Sequence, residues 1–124
     1  MNINEKILNT IEEAKKLETE LLIKTEQREE LQKLLELDKA NIMKEITEEK
    51  DIVTNKNVFS NESARSSELT KRINNCLPVV GKINTLRKLS EEISRTQIEL
   101  NYQLRLFSAY KLFYGGVNNV KTLE

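Results

Sequence analysis

The side chains that could carry catalysis are few in this chain, and their spacing matches no common catalytic arrangement. The 124 residues contain no histidine, which removes His-based acid–base catalysis, Cys–His and Ser–His nucleophile pairs and most zinc sites. Ser108 and Lys111 match a bare Ser-x-x-Lys pattern, but its companion Ser-Asp-Asn and Lys-Thr-Gly motifs are missing. The one cysteine, Cys76, has no second thiol with which to form an internal disulfide. The sequence therefore predicts a protein that is not an enzyme and has no cofactor.

Clusters of carboxylates are the remaining groups that could hold a metal ion. They comprise Glu26, Glu29 and Glu30; Glu45, Glu48 and Glu49; and Glu91 and Glu92. Lysines are interleaved with them, which is typical of a solvated helix surface. We therefore expect no metal site.

The aromatic residues are concentrated near the C-terminal end. Five of the six lie close together, with Arg105 and Lys111 among them: Tyr102, Phe107, Tyr110, Phe113 and Tyr114. Aromatic and arginine side chains dominate protein-binding hot spots, and they can also stack on single-stranded nucleic acid. Phe107 and Tyr110 lie on an apolar stripe, which favours packing on the first helix near Ile3, Ile7 and Ile11. The other three fall off the stripe, where a binding role and a plain surface role are equally open; the candidate partner-binding residues here are Tyr102, Arg105, Phe113 and Tyr114.

A second candidate surface lies in the polar loop between the helices, where Val58 and Phe59 are adjacent. An exposed aromatic at this tip would indicate a partner-binding site. The alternative is a hydrophobic staple over the start of the next helix.

The N-terminal half of the chain is predicted to form one long helix over about residues 3–50. No glycine or proline interrupts it. Its apolar residues share a heptad seam that is broken by Lys24, Arg28 and Asp38. The seam comprises Ile3, Ile7, Ala14, Leu17, Leu21, Leu31, Leu35 and Ile42. Further apolar residues make this stripe broader than one seam; they are Ile11, Leu22, Ile23, Leu34, Leu37 and Ile46.

A loop is predicted over residues 51–60, followed by a helix over about residues 61–75 with Ser60 or Asn61 as its N-cap. Pro78 stops or kinks that helix, and a third helix follows over about residues 78–114. The stripe of the third helix comprises Ile83, Leu86, Leu89, Ile93, Leu100, Leu104, Phe107 and Tyr110. Gly115 and Gly116 give a C-cap signal, which predicts a tail over residues 115–124.

Charge and length predict how these elements pair within one helical domain. Residues 1–51 (the first arm) carry 14 acidic and 9 basic residues, whereas residues 52–124 (the returning arm) carry 6 acidic and 11 basic residues. At a rise of about 1.5 Å per residue the first predicted helix spans roughly 70 Å, and the second and third predicted helices together span roughly 78 Å. We therefore expect an all-α, coiled-coil-like antiparallel hairpin whose returning arm breaks near Pro78. The alternative places the second helix beside the hairpin as a third element.

One short stretch of the sequence resembles a group of known proteins. Val58-Phe59-Ser60-Asn61-Glu62, followed by Arg65 and then by Glu68-Leu69, resembles the segment between the helical arms of small, mostly uncharacterised phage and prophage proteins. Ser63 and Ala64 stand where lysines are expected in that group. The resemblance implies a mobile-element origin and no particular activity.

These patterns together predict a non-enzymatic protein–protein interaction module, an adaptor or an inhibitor, that acts through the surface of a helical bundle. The broad stripe of the first arm predicts a homo-oligomer, with a dimer favoured, and an unknown protein partner. The alternative is a nucleic-acid-binding accessory protein that uses the basic returning arm. No apolar run reaches the roughly 18 residues that span a bilayer, and the first residues lack the apolar segment of a secretory signal. We therefore expect no membrane association and a cytoplasmic location.

Overall fold

The computed structural model describes the backbone of residues 2–123 and the side chains of residues 2–114. Within this range the chain forms three helices, α1 (Ile3–Glu48), α2 (Glu62–Asn75) and α3 (Leu77–Leu123), and no β-strand. The chain is thus an all-α helical hairpin in which α3 returns antiparallel to α1, as predicted. Among the described residues, no helix is both long enough and apolar enough to cross a membrane.

The heptad seam of α1 is confirmed, because every seam residue is buried or half-buried. The polar interruptions Lys24, Arg28 and Asp38 are half-buried too, so they occupy seam positions rather than breaking the helix. Thr10 also belongs to the seam and is buried. Its hydroxyl donates to the carbonyl of Ile7 at 2.7 Å, which satisfies the group within its own helix.

The loop after α1 is held by local hydrogen bonds. The Asp51 carboxylate accepts from the backbone N–H groups of Val53 and Thr54 at 2.8 and 3.0 Å, which holds the pKa of Asp51 below its ordinary value, chiefly through Thr54. Asn55 adopts φ 57°, a left-handed conformation that asparagine tolerates better than most residues. Residues 51–60 therefore form an ordered turn.

The start of α2 confirms one of the two predicted caps. Asn61 has an extended backbone, and its side-chain oxygen accepts from the N–H of Ala64 at 2.7 Å. The helix ends at Asn75, and its C-cap Cys76 is also extended, with φ −99°. Pro78 lies in the first turn of α3, where its missing N–H costs no intrahelical bond. The predicted break near Pro78 is confirmed.

The half-buried face of α2 continues that of α3. Arg72, Val79 and Leu86 are spaced by seven residues, and none of the three is exposed. Arg72 also pairs with Glu49, the residue that follows α1. This ion pair places Arg72 of α2 beside the end of α1.

Two predictions about α3 are wrong: the membership of its inward stripe and the position of its C-terminal end. Ile83 and Leu104 are exposed, whereas Lys82 and Gln103 are half-buried and Thr96 is buried. The inward positions follow the 3.5-residue spacing of an antiparallel seam, and that spacing selects polar residues at these points. Hydrophobicity alone could not identify them.

The predicted helix end at Tyr114 is also wrong, because α3 continues to Leu123. Each glycine inside a helix costs about 1 kcal/mol relative to alanine. That cost lowers the stability of the helix locally but is too small to end it by itself. The predicted tail over residues 115–124 is therefore helical as far as Leu123.

The contacts divide the chain into two compact units, each built from a segment of α1 and a segment of α3. The first comprises Met1–Glu26 and Ser90–Glu124, and the second comprises Gln27–Leu89. In the first unit Ala14, Leu17 and Leu100 form a buried cluster with Leu21 packed against it. In the second unit the buried apolar side chains are Leu35, Ile46 and Val79.

Candidate interaction surfaces

A stripe of exposed residues lies on α3 in the first unit, on the side away from α1. It will be called the α3 outer face, and it comprises Arg95, Ile98, Tyr102, Arg105, Ala109, Leu112 and Phe113, all of which are exposed. At about 100° per residue, Ile98 and Tyr102 point roughly opposite to the seam residues Leu100 and Phe107. The helix therefore has two apolar sides, and only one of them packs on α1.

The degree of exposure separates this face from ordinary scattered surface residues. Ile98 is 66% exposed, Tyr102 58%, Leu112 78% and Phe113 63%. Single exposed apolar residues are normal in a folded protein, whereas several on one side of a helix form a candidate interaction surface. The four large apolar side chains of the α3 outer face are thus available to a partner.

The charged residues of this face are also available. Neither Arg95 nor Arg105 forms an ion pair with a carboxylate among the described side chains. Arg105 lies between Tyr102 and Ala109 on the face, where an arginine can both stack on an aromatic ring and bind a carboxylate. The face therefore combines apolar anchors with positive charge.

The other clustered aromatics belong to the seam, as the sequence predicts for them. Phe107 and Tyr110 are half-buried, as are Ile3, Ile7 and Ile11. The Lys6 ammonium lies 5.8 Å from the centre of the Tyr110 ring, a cation–π contact that joins α1 to α3. Tyr114 is 39% exposed, so of the three off-stripe aromatics it is the least available to a partner.

An open groove of about 230 Å³ lies beside this seam contact, lined by Lys6, Asn9, Thr10, Glu13, Gln103, Leu106 and Tyr110. Among the described side chains, no buried polar atom lacks a hydrogen-bond partner. The groove therefore offers no stranded polar group that would call for a ligand.

The hairpin tip, with the candidate residues Val58 and Phe59, lies in the second unit. Phe59 is half-buried, and the Arg72 guanidinium lies 5.7 Å from the centre of its ring. Arg65 also donates to the Phe59 carbonyl at 3.4 Å. Phe59 thus packs against Arg72 of α2, so the tip does not present an exposed aromatic ring. Val58 is exposed, and the outermost apolar side chains are instead Ile52 and Val53, at 100% and 91% exposure.

Ion pairs within the second unit link the first arm to the returning arm. Lys82 of α3 pairs with Asp38 of α1, and both side chains are about two-thirds shielded from solvent. Arg72 pairs with Glu68 and with Glu49, and these two carboxylates raise its pKa, with the hydrogen bond to Glu68 as the largest cause. Part of the positive charge of the returning arm is therefore neutralised by the first arm.

One cross-helix pair in the first unit has the charges the other way round, with the basic residue on α1 and the acidic residue on α3. Lys24 of α1 lies 2.7 Å from Glu20 and 3.8 Å from Glu92 of α3. The hydrogen bond to Glu20 is the main cause that raises the pKa of Lys24. The ionic pattern is thus specific to each position and does not follow from the net charge of the arms alone.

Within the described part of the chain, no three potential metal ligands lie close enough together to hold an ion. Comparison with protein-family models, with curated proteins and with solved structures finds no match to this chain. The exposed surfaces of the helices are therefore the features of this protein that bear on its function.

Proposed function

We propose that this protein is a non-enzymatic interaction module, an adaptor or an inhibitor, and that the α3 outer face is its binding surface. The observation that carries the proposal is the row of four large apolar side chains, each more than half exposed. The opposite side of the same helix is already packed on α1. A helix with a second, uncovered apolar side is characteristic of a bundle that another helix completes.

The chemistry of the face specifies the partner. Its period of 3.5 to 3.6 residues fits an amphipathic helix laid along α3. Arg95 and Arg105 are exposed on the same face, so the fitting helix carries acidic residues beside its apolar stripe. Tyr102 and Phe113 supply the aromatic anchors that dominate most hot spots.

The expected affinity is moderate. Burying a large apolar side chain from full exposure stabilises a complex by about 1.5–3 kcal/mol, so four residues at roughly two-thirds exposure contribute about 4–8 kcal/mol. Loss of translational and rotational freedom costs about 4–15 kcal/mol. Contacts made by the apolar face of the partner must supply the rest of the binding free energy. Because a complex of this moderate affinity can dissociate, we expect a regulated rather than a permanent complex.

The nucleic-acid alternative receives less support from the same structure. Arg72 and Lys82, two of the basic residues on the returning arm, are engaged with carboxylates of the first arm. Stacking on exposed aromatics remains open to Tyr102 and Phe113. Binding to a single-stranded oligonucleotide is accordingly one outcome of the tests below and is not the proposed function.

Affinity capture from an extract of the source organism tests the proposal. The bait is the full chain, compared with a Tyr102→Ser/Phe113→Ser variant and with a Leu77→Ser control. Leu77 is 82% exposed on α3 in the other unit, so its replacement makes a similar surface change away from the face. We expect a protein that is captured by the wild type and the control and lost with the double variant.

One result of this experiment would overturn the proposed binding surface. If the double variant captures the same proteins in the same amounts as the wild type, the α3 outer face is not the binding surface. Circular dichroism of all three proteins checks that the helices form. Because all three substitutions are at exposed positions, the fold is expected to remain intact.

A further inference from the structure

We infer that Arg105 determines which helices the α3 outer face accepts, because the guanidinium in the middle of this face requires a carboxylate on the partner. The inference depends on the proposed function, since it concerns the same surface. It goes further by naming a specificity-determining residue and the position of the acidic residue that the partner must carry.

Arg105 is the middle residue of a row of five on the α3 outer face. The members of the row are Ile98, Tyr102, Arg105, Ala109 and Leu112, and all five are exposed. They follow one another at alternating intervals of four and three residues, which is the spacing of a helix side that packs on another helix. Two residues of the row lie on each side of Arg105, so a helix that covers the row also covers the guanidinium.

No carboxylate lies beside Arg105 on its own helix. The neighbours of a residue on a helix surface are three and four positions away. For Arg105 these positions hold Asn101, Tyr102, Ser108 and Ala109, and none of the four is acidic. Among the described side chains, no carboxylate forms an ion pair with Arg105. Its charge is therefore balanced by solvent as long as the face is uncovered.

The other arginine of the face, Arg95, has a different environment. Glu91 and Glu92 lie four and three positions before it, and Glu99 lies four positions after it, so carboxylates border Arg95 on its own helix. Arg95 also lies at the end of the face, where its long side chain can reach solvent beside a bound helix. The requirement for an acidic residue on the partner therefore belongs to Arg105.

The cost of desolvating Arg105 is what makes it selective. A guanidinium that is covered by an apolar side chain loses its water and gains no partner, which weakens binding. A carboxylate opposite it forms a charge-assisted hydrogen bond, often with two parallel N–H···O contacts. The same carboxylate opposite an apolar residue would itself be left unpaired. The preference for an acidic partner residue should therefore reverse when Arg105 is replaced by an apolar residue.

The place of Arg105 in the row also fixes the position of the carboxylate on the partner. Because Arg105 is the third of five residues, the residue opposite it is the middle one of the partner's stripe, whether the two helices are parallel or antiparallel. The next residue of the row, Ala109, is small and leaves room for a large apolar side chain. The fitting helix therefore carries one acidic residue in the middle of an apolar stripe.

Binding of two designed peptides to the full chain tests this inference. Each peptide has about 20 residues, enough to form a helix, and carries leucines at alternating three- and four-residue intervals. The middle position of this stripe is glutamate in one peptide and leucine in the other. Fluorescence anisotropy of the labelled peptides, kept dilute so that they do not self-associate, gives a dissociation constant for each pairing with the wild type and with Arg105→Met.

The wild type and the variant should prefer different peptides. We expect the wild type to bind the glutamate peptide on the order of tenfold more tightly than the leucine peptide. Arg105→Met should instead bind the leucine peptide on the order of tenfold more tightly, because the glutamate is then covered without a counter-charge. Arg87→Met is the control. It removes the same charge from an exposed position of α3 in the other unit, so it should keep the wild-type preference.

Each outcome bears on the inference. An unchanged preference in Arg105→Met, equal binding of the two peptides by the wild type, or no binding of either would overturn the role of Arg105. A single-stranded oligonucleotide bound through Arg105 in place of the glutamate peptide, with affinity that falls steeply with salt, would assign the guanidinium to phosphate and overturn it too. If capture of a protein still requires Tyr102 and Phe113 in these cases, the proposed function stands without the inference. If the preference reverses but capture does not depend on the face, the selectivity of Arg105 stands without the proposed function.

Discussion

Replacement of Ile46 and of Ile52 by alanine gives a matched pair that tests how the second unit is held together. Ile46 lies near the end of α1 and is 0% exposed, whereas Ile52 lies in the loop and is 100% exposed. The two positions have the same residue type, and only their surroundings differ. The difference in stability between Ile46→Ala and Ile52→Ala therefore measures chiefly burial.

The magnitude follows from the packing. Removing a buried isoleucine side chain to alanine costs about 2–5 kcal/mol, because the lost transfer free energy is added to that of the cavity. Alanine is the better helix former and returns a few tenths of a kcal/mol at Ile46. We expect Ile46→Ala to lower the free energy of unfolding by about 2–4 kcal/mol, a large part of the 5–15 kcal/mol typical of a domain. For Ile52→Ala we expect a change within about 0.5 kcal/mol.

Urea unfolding followed by circular dichroism measures both values. All proteins are compared at the same low concentration, because self-association would add to apparent stability. A loss for Ile46→Ala no larger than that for Ile52→Ala would show that Ile46 is not enclosed, and the packing described for the second unit would then be wrong.

Three further predictions concern the ion pairs, the loop and the basic arm. In a double-mutant cycle, Lys82→Met alone should destabilise the chain more than it does in an Asp38→Leu background, with a coupling free energy of about 1 kcal/mol, because the first change leaves a shielded carboxylate unpaired. Equal effects in the two backgrounds would show that the pair is not coupled. Because hydrogen bonds from Thr54 and Val53 hold the pKa of Asp51 below 3.8, its stabilisation is present above that pH and is lost as the pH falls through the lowered pKa. Asp51→Ala should therefore be less stable than the wild type near neutral pH, and the unfolding curves of the two should converge once the pH falls below the lowered pKa of Asp51; a constant gap would contradict this. In a mobility-shift assay at low ionic strength, we expect no retained single-stranded oligonucleotide, whereas affinity that falls steeply with salt would favour the nucleic-acid alternative.

The elements of the fold could be predicted from the sequence where a local signal was unambiguous. The long uninterrupted helix of the first arm, the cap at Asn61 and the break at Pro78 each follow from the chemistry of the residues at that point. The seam of α3 could not be predicted in full. Lys82 and Gln103 are among its inward positions. Packing against α1 determines that these polar residues face inward while neighbouring apolar residues face solvent.

The candidate surface was predictable in part. Tyr102 and Phe113 stand out because they are aromatics off the apolar stripe, and the structure leaves both exposed. Ile98 and Leu112 were missed, although their spacing from Tyr102 and Arg105 gives a second heptad pattern that a search for two seams on one helix would detect. Ile52 was missed as well, because an aliphatic residue in a polar loop has no periodic signal.

Photo-cross-linking in cells tests the central claim, that the α3 outer face binds another helix, most directly. A photoreactive amino acid is placed at Tyr102, in the middle of the face, and separately at Leu77, which is exposed but outside it. We predict that light links the Tyr102 variant to a defined protein and that the Leu77 variant forms no such adduct. Identical adducts at the two positions, or none at Tyr102, would contradict the account.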